Sequence, residues 1–262
     1  MSDTKNITPI SGVNTNVVKI FMQNVTKTTL GTATGFFFNE NGHKYLITNR
    51  HVVLDENENF YPQLLTLNLH NSYTDYSSNN TISVNLYTNG FPNWHEHPKY
   101  AKNYNIDVIA IEMNEKTLGP CDYSLFLHSI INFMSKDNFL QKETQISSFS
   151  DVIVVGYPLG FHDEINNLPV YRKGTIASSY PVKFNQNPFF LIDANLHPGT
   201  SGSPVLSAPN NIYINSSGSF HSGTSFILLG IQSGEYVING VSLGLCVVWY
   251  PELIIEIINS IQ

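Results

Sequence analysis

Between residues 17 and 249 the chain is built from short β-type runs. Apolar or alternating stretches of four to eight residues recur between Gly, Asn, Asp and Pro turn signals, and a sustained helical period appears only at the C-terminal end. The first group is Val17–Gln23, Thr34–Phe38, Lys44–Thr48, Leu64–Leu69, Thr81–Tyr87 and Val108–Met113, with Asn39-Glu40-Asn41-Gly42 as a strong hairpin turn. The second is Val152–Val155, Gly174–Ser178, Phe189–Ile192, Ser203–Leu206, Ser225–Gln232 and Gly244–Trp249. After Pro251, residues Leu253, Ile254, Ile257, Ile258 and Ile261 fall at helical spacing. The expected fold is all-β: two six-stranded antiparallel β-barrels followed by a C-terminal α-helix. The expected division is 15–120, a connector 121–148 with a helical turn at Ser129–Met134, 149–250, and the helix 251–262. Asn71–Asn80 and Pro209–Gly223 read as polar, mobile loops.

Composition narrows the partners. The 262 residues are 42% hydrophobic and 13% charged, with a net charge of −7, so the chain is globular and mildly acidic. No Lys/Arg cluster is present to neutralise a run of phosphates, which excludes a nucleic-acid partner. No apolar run reaches the roughly 18 residues of a membrane span. The start, Met1–Gly12, has neither the basic nor the apolar part of a leader, so a cytoplasmic location is expected. Two cysteines, Cys121 and Cys246, are too few for a disulfide framework, and Cys246 reads as a small core residue. His95-Glu96-His97 has metal-ligand residue types but lacks a third ligand, so a surface or packing role is expected, with no metal and no cofactor.

The chemistry concentrates at Gly199-Thr200-Ser201-Gly202-Ser203-Pro204, downstream of Thr48-Asn49-Arg50-His51 and Asn105-Ile106-Asp107. A serine hydroxyl is a weak nucleophile at neutral pH. It needs a base to accept its proton, a group to fix the tautomer of that base, and N–H donors where the oxyanion develops. Glycine at 199 permits backbone angles that turn its N–H inward, so that Gly199 and Ser201 together supply an oxyanion hole. Glycine at 202 is expected to let a substrate approach closely. A Gly-x-Ser-Gly turn alone is weak evidence. A histidine just after one apolar strand and an aspartate at the start of another strengthen it.

With these three blocks in the order His, Asp, Ser, the chain resembles the trypsin-like (chymotrypsin-fold) serine proteases of the bacterial type. Gly31–Phe37, Val154–Gly160 and Leu229–Gly234 resemble further blocks of that family, and the likeness runs from about Val17 to Ile258. It implies His51 as general base, Asp107 as the residue that orients it, and Ser201 as nucleophile. It also implies Asn195 at the base of the specificity pocket. His197, Gln232, Ser233 and Gly234 are expected along the substrate cleft.

The chain departs from the family in three places. It lacks the Ile-Val-Gly-Gly start of the digestive enzymes, and no binding module is expected after the protease body, so recognition of peptide tails by such a module is not expected. It also has Gln232 where glutamyl endopeptidases use histidine, so a glutamate preference is not expected. A neutral Asn195 disfavours Lys or Arg at P1, the substrate residue whose carbonyl is attacked, and the sequence leaves the P1 choice open. The main expectation is an endopeptidase acting on a protein or peptide, with processing of one intracellular partner as a further reading. The rival is an inactive peptide-binding module on the same fold.

Overall fold

The computed structural model describes residues 12–99, 105–139, 146–208, 210–214 and 220–261. The short helix α1 (Gly12–Asn16) leads into β1 (Val17–Gln23), β2 (Thr29–Glu40), β3 (His43–Thr48), β4 (Leu64–His70), β5 (Asn79–Asn85), β6 (Tyr87–Thr88), β7 (Phe91–Pro92), β8 (Trp94–Glu96) and β9 (Ile109–Glu112). Helices α2 (Glu115–Leu118) and α3 (Pro120–Leu127) follow. The second half comprises β10 (Asp151–Gly156), β11 (Val170–Ile176), β12 (Phe189–Asp193), β13 (Pro204–Ser207), β14 (Asn210–Ile214), β15 (Phe220–Ser225), β16 (Leu228–Ile238) and β17 (Val241–Trp249), then α4 (Glu252–Asn259).

Strands β10, β11, β12, β17, β16 and β13 close into a six-stranded antiparallel barrel, as expected from the second group of runs. The first group forms a seven-stranded half-barrel in the order β5-β4-β1-β2-β3-β9-β8. Its extra strand, β8, is three residues long and sits between Pro92 and Pro98, too short to register as a period. At the other edge, helices take the place of a closing strand. The backbone N–H of Ser83 in β5 donates to the Asp122 carboxylate at 2.8 Å, and Asn85 Nδ2 donates to the Thr117 carbonyl at 3.1 Å. An edge whose donors are met this way has no need of another strand.

Two expectations about the connections change. The helix in the connector is Pro120–Leu127, started by proline at its first turn, and not Ser129–Met134. Residues 129–134 run extended because the sheet uses their backbone. Ile130 N–H donates to His70 O, Met134 N–H to Phe37 O, and Asn39 N–H to Met134 O. Within Pro209–Gly223, β14 and β15 pair as a hairpin, and residues 209 and 215–219 lie outside the description. No helix among the described residues is long and apolar enough to cross a membrane.

Period-two alternation in β2 joins the cores. Phe37 faces the half-barrel core with Leu46, Leu65, Leu67 and Ile109. Phe36 and Phe38 face the other way, into a core shared with Val155, Tyr157, Leu206, Trp249 and the α4 stripe Leu253, Ile254, Ile257 and Ile258. All three phenylalanines are essentially inaccessible, and each such burial contributes about 1.5–3 kcal/mol. The expected packing role of His97 is met. It is buried, its Nδ1 accepts from Lys99 N–H at 3.1 Å, and its Nε2 reaches Glu256 of α4 at 2.9 Å.

The polar joint between the halves is Thr34 of β2. Its hydroxyl donates to Gly199 O at 2.8 Å and accepts from Tyr157 N–H at 3.1 Å. Its N–H donates to Ser201 O at 2.9 Å, and its carbonyl accepts from the Thr48 hydroxyl at 2.8 Å. The Thr34→Val variant keeps the side-chain shape but strands a buried carbonyl and a buried amide, at about 1–3 kcal/mol each. We expect urea unfolding to show a loss of about 2–5 kcal/mol in total, with Thr34→Ser recovering most of it. A Thr34→Val protein with unchanged stability would show that the joint lies elsewhere.

Candidate active site

Pairing of β3 with β9 brings the first two candidate residues together. Thr48 stands opposite Ile109, so the turn after β3 and the segment before β9 meet at one end of the sheet. His51 lies in the single helical turn Arg50–Val52. Asp107 holds it at two points: Oδ1 accepts the His51 backbone N–H at 3.0 Å, and Oδ2 meets Nδ1 of the ring at 2.7 Å. A carboxylate only accepts, so Nδ1 carries the proton and the Nε2 lone pair faces outward. Burial alone would lower the imidazole's affinity for a proton. The hydrogen bond and charge of Asp107, with the charge of Asp55, outweigh it and raise His51 above its ordinary value.

Neighbouring side chains fix this pair. Asn49 Nδ2 donates to the Asp107 carbonyl at 2.6 Å. Arg50, buried beside His51, makes a two-pronged contact with Glu56 at 2.8 and 2.9 Å and reaches Glu96 of β8 at 3.1 Å. The Arg50 bonds are the main reason the Glu56 carboxyl is held down at about 2. Ser233 completes the set, its hydroxyl donating to Asp107 Oδ2 at 2.6 Å. Sequence reasoning assigned Ser233 to the substrate cleft and missed this role. A serine in a strand carries no mark of a partner 126 positions away.

Ser201 sits in the turn between β12 and β13. Its hydroxyl donates to the Ser233 carbonyl at 3.2 Å and makes no hydrogen bond to His51. Ser233 therefore touches both, through its hydroxyl on Asp107 and its carbonyl on Ser201. The peptide planes of the turn are set by their carbonyls. Pro198 O accepts from Leu159 N–H, and Thr200 O accepts from Ser203 N–H at 2.9 Å. In a trans peptide the N–H points opposite to the C=O. The Gly199 and Ser201 N–H groups are thus turned away from those anchors, and neither has an acceptor among the described residues.

Glycine at 199 is required, because φ is +97° and a Cβ would lie 2.5 Å from Tyr157 O. Gly202 has a different reason from the one expected. A Cβ there would meet Thr34 O at 2.1 Å and Thr48 Oγ1 at 2.4 Å, so the close approach it permits is to the half-barrel and not to a substrate.

The remaining candidates surround a cavity of about 230 Å³ beside Ser201. Leu196, Thr200, Gln232 and Cys246 line it and are buried, while His197, Ser233, Gly234 and Glu235 form its more open part. Asn195 is a correction. It does not line the cavity; its side chain is exposed and its carbonyl accepts from the Arg172 guanidinium. Inward residues alternate along an extended segment, and here Ala194 and Leu196 take the inward positions. Pairing of β16 with β17 skips a residue at this point. Gln232 faces Val248 and Glu235 faces Cys246, which leaves Ser233 and Gly234 as a bulge at the cavity mouth. No group of three metal-ligating side chains occurs among the described residues.

The family model for the trypsin-like peptidase domain matches residues 33–213. No curated protein matches the chain. Among solved structures, the HtrA-type protease AlgW with a tripeptide aligns at TM-score 0.53 and 15% identity, over 95% of this chain and 60% of that one. A serine endoprotease from Yersinia pestis aligns at 0.53 and 13%, over 97% of this chain and 67% of that one. The Rv3671c protease, in an inactive form, aligns at 0.51 and 15%, over 95% and 90%. At such identities these structures share the fold, and the chain spans 60% of the length of the AlgW chain. The family model covers most of the described chain and takes in His51, Asp107 and Ser201, and the chain belongs to the trypsin-like peptidase domain family.

Proposed function

We propose that the protein is a serine endopeptidase. Ser201 Oγ attacks a peptide carbonyl while His51 Nε2 accepts its proton, and the Gly199 and Ser201 N–H groups receive the oxyanion. His51 then gives the proton to the leaving amine. Water repeats the sequence on the acyl-enzyme, regenerating Ser201 and releasing the acid. Asp107 holds the imidazole and stabilises it while charged. The reading requires Ser201 to turn about χ1 from the Ser233 carbonyl to His51 Nε2. Gly234, outside the β16–β17 ladder, and the Ser233 carbonyl, which the turning Ser201 hydroxyl would vacate, offer the backbone of an extended peptide a place to pair.

The observation that supports this reading most is the two-point hold of Asp107 on His51, beside a serine turn whose two N–H groups lack acceptors. The serine's bond to Ser233 in place of His51 favours a second reading, a peptide-binding module with an idle hydroxyl. A fluorophosphonate probe separates the two, since only an activated serine reacts. Wild type should label, and Ser201→Ala should not. Labelling that survives Ser201→Ala, or a wild type that never labels, removes the proposal.

The raised His51 sets the pH dependence. The base works only when neutral, so the acid limb of kcat/KM should lie above the ordinary histidine value of about 6.5. Asp107→Asn removes the hydrogen-bonded charge that raises it. The limb should then move to lower pH, with kcat reduced by about 10⁴-fold as the tautomer is lost. A limb that stays in place in Asp107→Asn would dissociate Asp107 from the base.

A further inference from the structure

The cavity beside Ser201 has a chemical character that the family assignment does not specify. Its buried part is formed by Leu196, Thr200, Gln232 and Cys246, and no charged side chain lies among them. Most of the accessible lining is carbon. The donors at depth are already engaged. The Thr200 hydroxyl donates to His197 O at 2.8 Å, and Gln232 Nε2 donates to Ser233 O at 2.8 Å. Cys246 Sγ lies 3.6 Å from Ala194 O. Building on the endopeptidase reading, we propose that this cavity receives the P1 side chain and selects an uncharged apolar residue of leucine to phenylalanine size, with Cys246 setting its depth.

Size supports the upper end of that range. An apolar cavity of about 150 Å³ holds benzene. At about 230 Å³ this one takes an aromatic ring or a branched aliphatic chain, whereas alanine would leave much of it void. Charge excludes the alternatives. A Lys or Arg head would lie against Leu196 and a thiol, with the nearest lining carboxylate, Glu235, out at the solvent-exposed mouth. A buried charge without a partner is strongly disfavoured. An acidic side chain meets the same difficulty. Among the described residues no Lys or Arg lines the cavity, so a buried carboxylate would find no cationic partner there. Cys246 is a fitting residue for the depth marker because it is buried while the bulge residues beside it on β16 are more open.

The test is a P1-varied fluorogenic peptide library on the full chain, read as kcat/KM, with fluorophosphonate labelling of Ser201 in parallel. Wild type should turn over P1 Leu, Met or Phe about tenfold faster than Ala, and at least about a hundredfold faster than Lys, Arg, Asp or Glu. In Cys246→Leu the order should shift toward Ala and Val. In Cys246→Ala it should shift toward Phe and Trp. Ratios within one variant cancel any loss of folded protein, and the wild-type profile stands without either variant. A preference for Glu would assign the choice to His197 at the mouth, one for Lys or Arg to Glu235, and one for Gln to the unpartnered Gln232 Oε1. Any of these overturns the inference while a labelled Ser201 keeps the peptidase reading intact, as does a P1 order identical in wild type and both variants. Absence of both labelling and cleavage removes the peptidase reading and this inference with it.

Discussion

The structure turns on one β-strand residue, Thr34, whose backbone and side chain are both spent on the serine turn and its surroundings. Four hydrogen bonds leave or reach it, and three of them cross to the second half of the molecule. Gly202 lets that turn lie directly on the Thr34 carbonyl. Ser201 is therefore located relative to β2 by hydrogen bonds and steric contact, while His51 is located relative to β3, the strand paired with β2. The spacing between His51 on one half and Ser201 on the other is fixed through two adjacent strands of a single sheet. The apolar contacts of Phe36 and Phe38 hold the halves together, but they are non-directional. Thr34 supplies the direction.

A similar logic orients the serine turn. Its two outward N–H groups are not held by anything they contact. They point outward because the carbonyl of each peptide plane is anchored behind, one on Leu159 and one on Ser203. Leu159 is itself at φ +52°, a left-handed backbone that is uncommon for a branched aliphatic residue. Its side chain is 71% exposed, so packing of that side chain does not explain the conformation. What the backbone gains there is the bond from Leu159 N–H to Pro198 O. Under the proposed function, donors held in this way require no rearrangement when an oxyanion forms.

Much of this was readable from sequence, for identifiable reasons. Strands such as β1 and β12 were found nearly to the residue because their runs end at turn formers. The blocks around His51, Asp107 and Ser201 carry residue types that chemistry demands, and the structure brings His51 and Asp107 into contact. What escaped falls into two kinds. β8 and α3 are short elements whose boundaries depend on proline and on neighbours. The roles of Thr34, Arg50 and Ser233, and the place of Asn195, depend on contacts between distant positions. A threonine in a strand reads as β-propensity, whatever its hydroxyl meets. Asn195 was expected at the pocket base from the family resemblance, which does not register the alternation that turns Ala194 and Leu196 inward.

Ser233 shows why the site has to be considered as a connected network. Its hydroxyl donates to the carboxylate that holds His51, and its carbonyl accepts from the hydroxyl of Ser201. Gln232 Nε2 donates to the same carbonyl. The bulge at residues 233–234 removes this carbonyl from the β16–β17 ladder, which is what leaves it available to a serine hydroxyl or, by the same hydrogen-bonding capacity, to a peptide N–H. Two donors of comparable strength competing for one acceptor differ little in free energy, so an arriving backbone can release the hydroxyl at small cost. The same irregularity widens the mouth of the cavity over Cys246. One skipped residue in a strand thus bears on where the Ser201 hydroxyl rests and, under the proposed function, on how a peptide backbone pairs and which side chain enters the cavity.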